Sequence, residues 1–265
     1  MIKDFLETTR GCKFHCDFCT IPALSGGRVR RKPVEDVVVL IKKMKRKYRI
    51  FTFLDNNIYN DPSYARALFK ALRPLKIKWG SFCTIDIAKN DEVLKLAKES
   101  GCQVLTFGYE ISESSNEKDK GGKFAMARKY LEFTRQVKKA GIRVKGNFVF
   151  GFDSDKWKSL FILWKFCFQV NPLLTGITLL TPLPGTRVYE DMLRENRILN
   201  LNWHDYGSYK FVFKHKYFNN VWMTRFFSPC IPLFFMLTTS KVGYAVIFSI
   251  AALWTIHRYY VSNLF

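Results

Sequence analysis

The chain has 265 residues, enough to bury a full core as one large domain or two small ones. Hydrophobic residues make up 48% and mean hydropathy is −0.09, which excludes a mostly disordered chain. Lys and Arg number 43 against 22 Asp and Glu, and the resulting +21 favours anionic partners: nucleic acid, an acidic membrane face or a phosphorylated substrate. A Lys-rich surface explains the same charge, which carries no information on fold.

The N-terminus carries Lys3, Asp4 and Glu7 with no long apolar run, so it does not read as an export signal. A cytoplasmic, reducing location is the expectation. Clustered thiols there point to metal or catalysis rather than disulfides.

Residues 3–9 read as a short strand that feeds a cysteine-rich loop. Residues 34–48 place apolar side chains at helical spacing, with acids early and Lys/Arg late, as the helix dipole favours. A β-branched and aromatic run at 49–57 follows, ending in polar residues. Residues 62–74 predict a helix with Pro62 in its first turn. The alternation continues with a strand at 76–85, a helix at 91–101, a strand at 103–110 and a helix at 123–141. A strand at 142–152, a helix at 155–170, a strand at 176–183 and a helix at 188–199 complete it. Strand–helix alternation repeated about six times means parallel βαβ units, which right-handed crossovers close partly into a barrel. Ligands of such sheets bind at the carboxyl ends of the strands. The polar residues gather there: Asp55–Asn57, Asp86, Glu110 with Ser112, and Asp153 with Asp155. The cysteine loop, following the first strand, falls on the same rim.

That loop, 10-RGCKFHCDFCT-20, holds Cys12, Cys16 and Cys19 at C-x3-C-x2-C spacing. Three thiolates suit an iron–sulfur cluster with one iron left open to a ligand. Two other chemistries fit the spacing: a redox pair at Cys16 and Cys19, and a zinc site completed by His15 or His204. Cys83, Cys102, Cys167 and Cys230 stand singly in apolar contexts and read as small buried hydrophobes.

The stretch E-T-T-R-G-C-x3-C-x2-C, with Phe18 before the last cysteine, resembles the signature of radical S-adenosylmethionine (SAM) enzymes. The resemblance extends over roughly residues 3–225. Phe53-Leu54-Asp55-Asn56-Asn57 resembles the F-x-D-D-N strand end of the members that carry a cobalamin-binding domain. Gly108-Tyr109-Glu110-Ile111-Ser112 resembles G-x-E-S. Residues 146–155, GNFVFGFDSD, match G-x-F-I-F-G-x-D-x-D, and Thr181–Thr186 with Tyr189 match T-P-x-P-G-T-x-x-Y.

The resemblance implies that Cys12, Cys16 and Cys19 hold a [4Fe–4S] cluster whose fourth iron is chelated by SAM. It implies a TIM-barrel-like partial (β/α)6 core over 1–186 and an aromatic-rich extension over 187–225; the apolar runs beyond, over 226–265, read separately as a helical apolar tail. Phe18, Asp55, Asn56, Glu110, Ser112 and Gly151 are the implied cofactor contacts. Asn56 replaces the second Asp of the pattern, which leaves Asp55 as the implied partner of SAM's amino group. The implied reaction is reductive cleavage of SAM, which starts methylation or C–C and ring rearrangement on a lipid-like or tetrapyrrole substrate. An electron donor of flavodoxin or ferredoxin type is implied as well. Only eleven residues precede Cys12, so any cobalamin is expected from a partner subunit or by non-covalent docking. The rivals are an RNA-modifying enzyme of the same class, in keeping with the +21 charge, and a non-catalytic cluster- or zinc-binding nucleic-acid module.

Four further segments carry expectations. Gly26 and Gly27 lie in a basic loop, and 112–122 is a polar loop. In the extension, His204, Tyr206 and Tyr209 either line a substrate pocket or form an aromatic packing lid. In the tail, two uncharged runs of 15 residues flank Lys241, each short of the ~18–20 residues that a spanning helix needs. A tilted span or hairpin, an anchor on an anionic membrane face, and a helix packed on protein all fit.

Overall fold

The computed structural model describes residues 4–44, 50–109 and 129–220, together with 224, 233–234 and 237–238. Six strands form one parallel sheet: β1 (Asp4–Leu6), β4 (Ile50–Phe53), β5 (Lys78–Phe82), β6 (Cys102–Tyr109), β7 (Arg143–Phe150) and β8 (Leu174–Leu179). Each strand pairs with the next in that order, so no connection crosses the sheet, and the sheet curls into a partial (β/α)6 barrel. A separate two-stranded ribbon pairs β2 (Thr9–Arg10) antiparallel with β3 (Arg30–Arg31).

Seven helices are described: α1 (Ile21–Ser25), α2 (Val34–Met44), α3 (Pro62–Leu72), α4 (Asp91–Glu99), α5 (Tyr130–Lys139), α6 (Trp157–Val170) and α7 (Arg187–Arg194). Their starts follow from capping. The Asp61 carboxylate accepts from the Ser63 and Tyr64 N–H groups ahead of α3, with Pro62 at the first helical position. Asn90 does the same for α4 and Thr186 for α7.

The core sits between helices and sheet. Trp79 lies against Phe53 and Phe69, and Tyr109 stacks on Phe148 at 5.4 Å. All five are at most 1% exposed, so the layer between the sheet and its helices is packed with aromatic rings.

The element boundaries differ from the expected ones for identifiable reasons. The strand expected over 3–9 stops at Leu6, because Asp55 takes up the N–H groups of Thr8 and Thr9 and turns the chain out of the sheet into β2. The strand expected over 76–85 ends at Phe82, and a 3-10 turn at Ile85–Lys89 follows. The helix expected over 188–199 ends at Arg194. Asn196 is left-handed there (φ 52°), and Ile198 bridges antiparallel to Phe213 instead. Helix α1 was not expected. Gly26, in the left-handed conformation, ends it, so that glycine serves a turn.

Residues 45–48 and 123–128 of two expected helices lie outside the described residues, as do Arg49 of the expected strand, Glu110, Ser112, the 112–122 tract, Cys230 and most of the tail. Among the described residues no helix is long and apolar enough to cross a membrane.

Candidate functional site

The cysteine loop is built onto the end of β4 by side chains of the run Asp55–Asn60. Asp55 is fully buried, and its Oδ1 accepts from the Thr8 N–H at 2.6 Å and the Thr9 N–H at 2.9 Å. Its Oδ2 accepts from the Thr8 hydroxyl. Burial pushes the Asp55 carboxyl above its usual range, and the hydrogen bonds from Thr8 and Thr9 offset part of that. Asn56 is exposed, with its Oδ1 accepting from the Gly11 N–H at 3.3 Å.

Asn60 grips the loop from the other side: its amide donates to the Gly11 carbonyl at 2.9 Å, and its Oδ1 accepts from the Lys13 N–H at 3.0 Å. Asn57, also buried, accepts from the N–H groups of Tyr59 and Thr84 and so joins the end of β4 to the end of β5. Lys13 extends this link. Its ammonium donates to Asp86 at 2.6 Å and to the Tyr59 carbonyl at 3.1 Å, over the Tyr59 ring.

Gly11 is where the loop leaves the ribbon. It has φ +99°, and a Cβ there would lie 2.2 Å from the Arg28 carbonyl oxygen, so only glycine fits. Cys12 and Cys19 are half-buried and Cys16 is 9% exposed, with the Cys19 N–H donating to the Cys16 carbonyl in a tight turn. Further along, the Asp17 carbonyl accepts from the Val188 N–H at 3.1 Å, which ties the loop to α7.

The rim of β7 completes the arrangement. Phe18 packs edge-on against Phe152 with ring centroids 5.5 Å apart. Gly151 has φ +107°, and its N–H donates to Asp155 at 2.8 Å. A Cβ on Gly151 would come 2.8 Å from the Phe211 ring. Asp153 is turned toward Arg197, which is 7% exposed and reaches it at 2.8 Å. Partial burial alone would raise the Asp153 carboxyl, but Arg197 and Lys216 hold it below its usual range. His215 closes the segment over β7. Its Nδ1 accepts from the Tyr217 and Phe218 N–H groups, so Nε2 carries the proton and donates to the Phe152 carbonyl at 2.9 Å.

The structure therefore brings Cys12, Cys16, Cys19, Phe18, Asp55, Asn56 and Gly151 onto one rim. Both oxygens of Asp55 are engaged by Thr8 and Thr9 inside the protein, whereas Asn56 is the exposed residue beside the cysteine loop. Likewise the Gly151 N–H already serves Asp155. In the extension, His204 is exposed on a 3-10 turn, Tyr209 is half exposed, and Tyr206 packs against Trp203 with its hydroxyl donating to the Asn200 carbonyl.

Sequence reasoning missed Thr8, Lys13, Asn60, Arg197 and His215. The run Asp55–Asn60 signalled polarity, yet nothing local told which of its members face inward.

The donor set suits a cluster better than a single ion. Among the described residues no group of three His, Cys, Asp or Glu side chains is placed to hold a single metal ion. A cubane assigns each thiolate its own iron, so three sulfurs need not meet at one point. Cys83, Cys102 and Cys167 are buried, and burial pushes each thiol up and keeps it protonated.

A curled parallel sheet with three cysteines in the loop after its first strand is the architecture of one enzyme class. Residues 6–160 match the Radical SAM superfamily, and the chain belongs to it and is an enzyme. It is 29% identical over 212 residues to a bacteriochlorophyllide d C-12(1)-methyltransferase of Chlorobaculum tepidum, covering 78% of this chain and 46% of that protein. Against a hopanoid C-2 methylase of Rhodopseudomonas palustris it is 27% identical over 205 residues, with 74% and 38% covered. The fold superposes on the radical SAM methyltransferase TsrM from Kitasatospora setae, solved with cobalamin and a [4Fe-4S] cluster. The TM-score is 0.63 at 15% identity, covering 72% of this chain and 37% of that one. The chain thus spans less than half the length of these relatives.

Proposed function

We propose that this chain is the core of a radical SAM enzyme that methylates or rearranges carbon centres of a tetrapyrrole or lipid-like substrate. The observation that carries the reading is the cysteine loop, gripped by Asn56 and Asn60 at the carboxyl end of the sheet. In this reading Cys12, Cys16 and Cys19 hold a [4Fe–4S] cluster and SAM takes the open iron. When bound, the two supply one-electron cleavage of SAM and a carbon radical that abstracts hydrogen.

The protein's own part is positioning. Asp55 and Asn60 set the loop, Asn56 offers its amide to the methionine part of SAM, and Phe18 on Phe152 shields the cluster side from water. The substrate class rests on the two relatives, whose names specify bacteriochlorophyllide and hopanoid. Cobalamin, bound in the TsrM structure, enters from a partner subunit or by docking non-covalently, and an electron donor of flavodoxin or ferredoxin type completes the system.

Anaerobic reconstitution tests the reading. The protein should take up about four irons and four sulfides, its reduced EPR signal should change on addition of SAM, and dithionite should yield 5′-deoxyadenosine. Stoichiometric zinc without iron would refute it.

A further inference from the structure

The sheet has a second face that the core leaves open. Burial alternates along β7: Val144, Gly146, Phe148 and Phe150 are buried, and the residues between them are not. Phe148 stacks on Tyr109 and meets the Phe166 ring of α6, so the buried set faces the helices. Lys145 and Asn147 therefore face the concave side, the inside of the partial barrel. Phe82 on β5 and Leu54 just past β4 take the same alternation, and they are 46% and 50% exposed.

Two features of this face point to a ligand. The first is a row of small residues. Asn147 is exposed and stands between two glycines: Gly108 is its partner on β6 and Gly176 its partner on β8. Glycine inside a strand marks a place where another group comes close to the backbone. A Cβ on Gly176 would lie 3.0 Å from Asn147 Oδ1, so the amide lies across Gly176 and the row is flat. The second feature is charge. Lys145, two residues below Asn147, is half-buried, and among the described residues it has no hydrogen-bond or ion-pair partner. No Asp or Glu takes an inward-facing position on the six described strands of the sheet. A part-buried cation with no counter-charge is matched by an anionic group that a ligand brings.

We infer that the concave face of β6, β7 and β8 binds a planar, carboxylate-bearing substrate, with Lys145 pairing with the carboxylate and the Gly108–Asn147–Gly176 row carrying the ring system. Phe82 and Leu54 supply an apolar wall for its other edge. The acid then sits deep and the reacting carbon near the rim. Lys145 lies five residues before Phe150, the last residue of β7, a depth of about 16 Å at ~3.3 Å per residue. That depth suits a macrocycle with an acidic side arm. It also sets Lys145 apart from the cysteine loop and Asn56, which stand at the rim. The inference deepens the proposed function and rests on it for the substrate class: of the two classes named there it selects an acidic tetrapyrrole over a neutral lipid.

The test uses the full chain, reconstituted anaerobically, and two chlorins that differ in one group: pheophorbide a, with one free carboxylic acid, and its methyl ester. Fluorescence titration should show the acid bound about tenfold more tightly than the ester, the size of one charge-assisted hydrogen bond. Lys145→Met should abolish that preference and leave the ester affinity unchanged, while Lys145→Arg should keep it. SAM affinity, by calorimetry, should be the same in Lys145→Met as in the wild type. Equal binding of acid and ester by the wild type, no binding of either, or a preference that survives in Lys145→Met would overturn the proposal. Palmitate displacing the chlorin as well as pheophorbide a does would overturn it in favour of an acyl-chain site. Loss of SAM binding in Lys145→Met would overturn it in favour of SAM's own carboxylate. The site and the reaction fail separately: 5′-deoxyadenosine formation without an acid preference refutes this site alone, and an acid preference without 5′-deoxyadenosine refutes the proposed reaction alone.

Discussion

The Thr8 N–H lies 2.6 Å from Asp55 Oδ1 across 47 residues of sequence, and this bond, with its neighbour from Thr9, turns the chain from the barrel into the cysteine loop. Removing the carboxylate strands two N–H groups in a dry site. Asp55→Ala should therefore cost about 2–5 kcal/mol of stability and lower iron uptake, measured by denaturant unfolding and iron assay. Asp55→Asn retains an acceptor for both N–H groups and an amide for the Thr8 hydroxyl, so it should keep the iron. A normal iron content in Asp55→Ala would show that the loop forms without this turn.

Asn56 carries the opposite expectation. It is exposed and its contribution to the loop is one long bond to Gly11. Asn56→Ala should keep the cluster and weaken SAM binding by about 0.5–1.5 kcal/mol, the range of one neutral hydrogen bond. Calorimetry with the anaerobic holoprotein checks this. Unchanged SAM affinity would remove Asn56 from the cofactor site.

Gly11 tests the join between ribbon and loop. An added methyl meets the Arg28 carbonyl at 2.2 Å, and φ +99° is strained for any other residue. Gly11→Ala should destabilise the protein by roughly 1–3 kcal/mol and abolish stable cluster binding. Gly26→Ala, which meets nothing within 4 Å and only adopts a left-handed turn, should cost about 1 kcal/mol and spare the cluster.

The His215 segment should be pH-sensitive. Burial lowers the His215 pKa, with Asp153 opposing and Arg197 adding to the shift, and Nδ1 is already an acceptor for two N–H groups. The unfolded chain then binds a proton more readily than the folded one. Stability should fall as pH drops through the ordinary histidine value of ~6.5 and continue to fall until the folded value is passed. Thermal melts between pH ~5 and ~8 should show this slope, and His215→Gln should flatten it. Asp153, held low by Arg197, acts in a more acidic window: its contribution is present above ~4 and is lost as pH falls through its folded value.

The alternation of apolar runs was sufficient to read the parallel units, because period-2 and period-3.6 patterns are local properties of the chain. The cysteine spacing was equally local. So were the starts of α3 and α4, where Asp61 with Pro62 and Asn90 with Asp91 write the cap into a few adjacent residues. What the neighbouring sequence could not decide was the direction each polar side chain takes. Asp55 and Asn56 are adjacent and chemically alike, yet one is sealed against Thr8 and the other stands in solvent. That choice depends on which strand lies alongside β4, a partner 47 residues away. The same holds for Asp153, which the sequence places only among the polar residues at the strand ends and which becomes half of an ion pair once Arg197 folds back over β7. Backbone hydrogen bonding and burial periodicity act over a few residues and are legible in order along the chain. The pairing of polar groups is settled by tertiary contact, because a buried donor takes whichever acceptor the fold brings within reach.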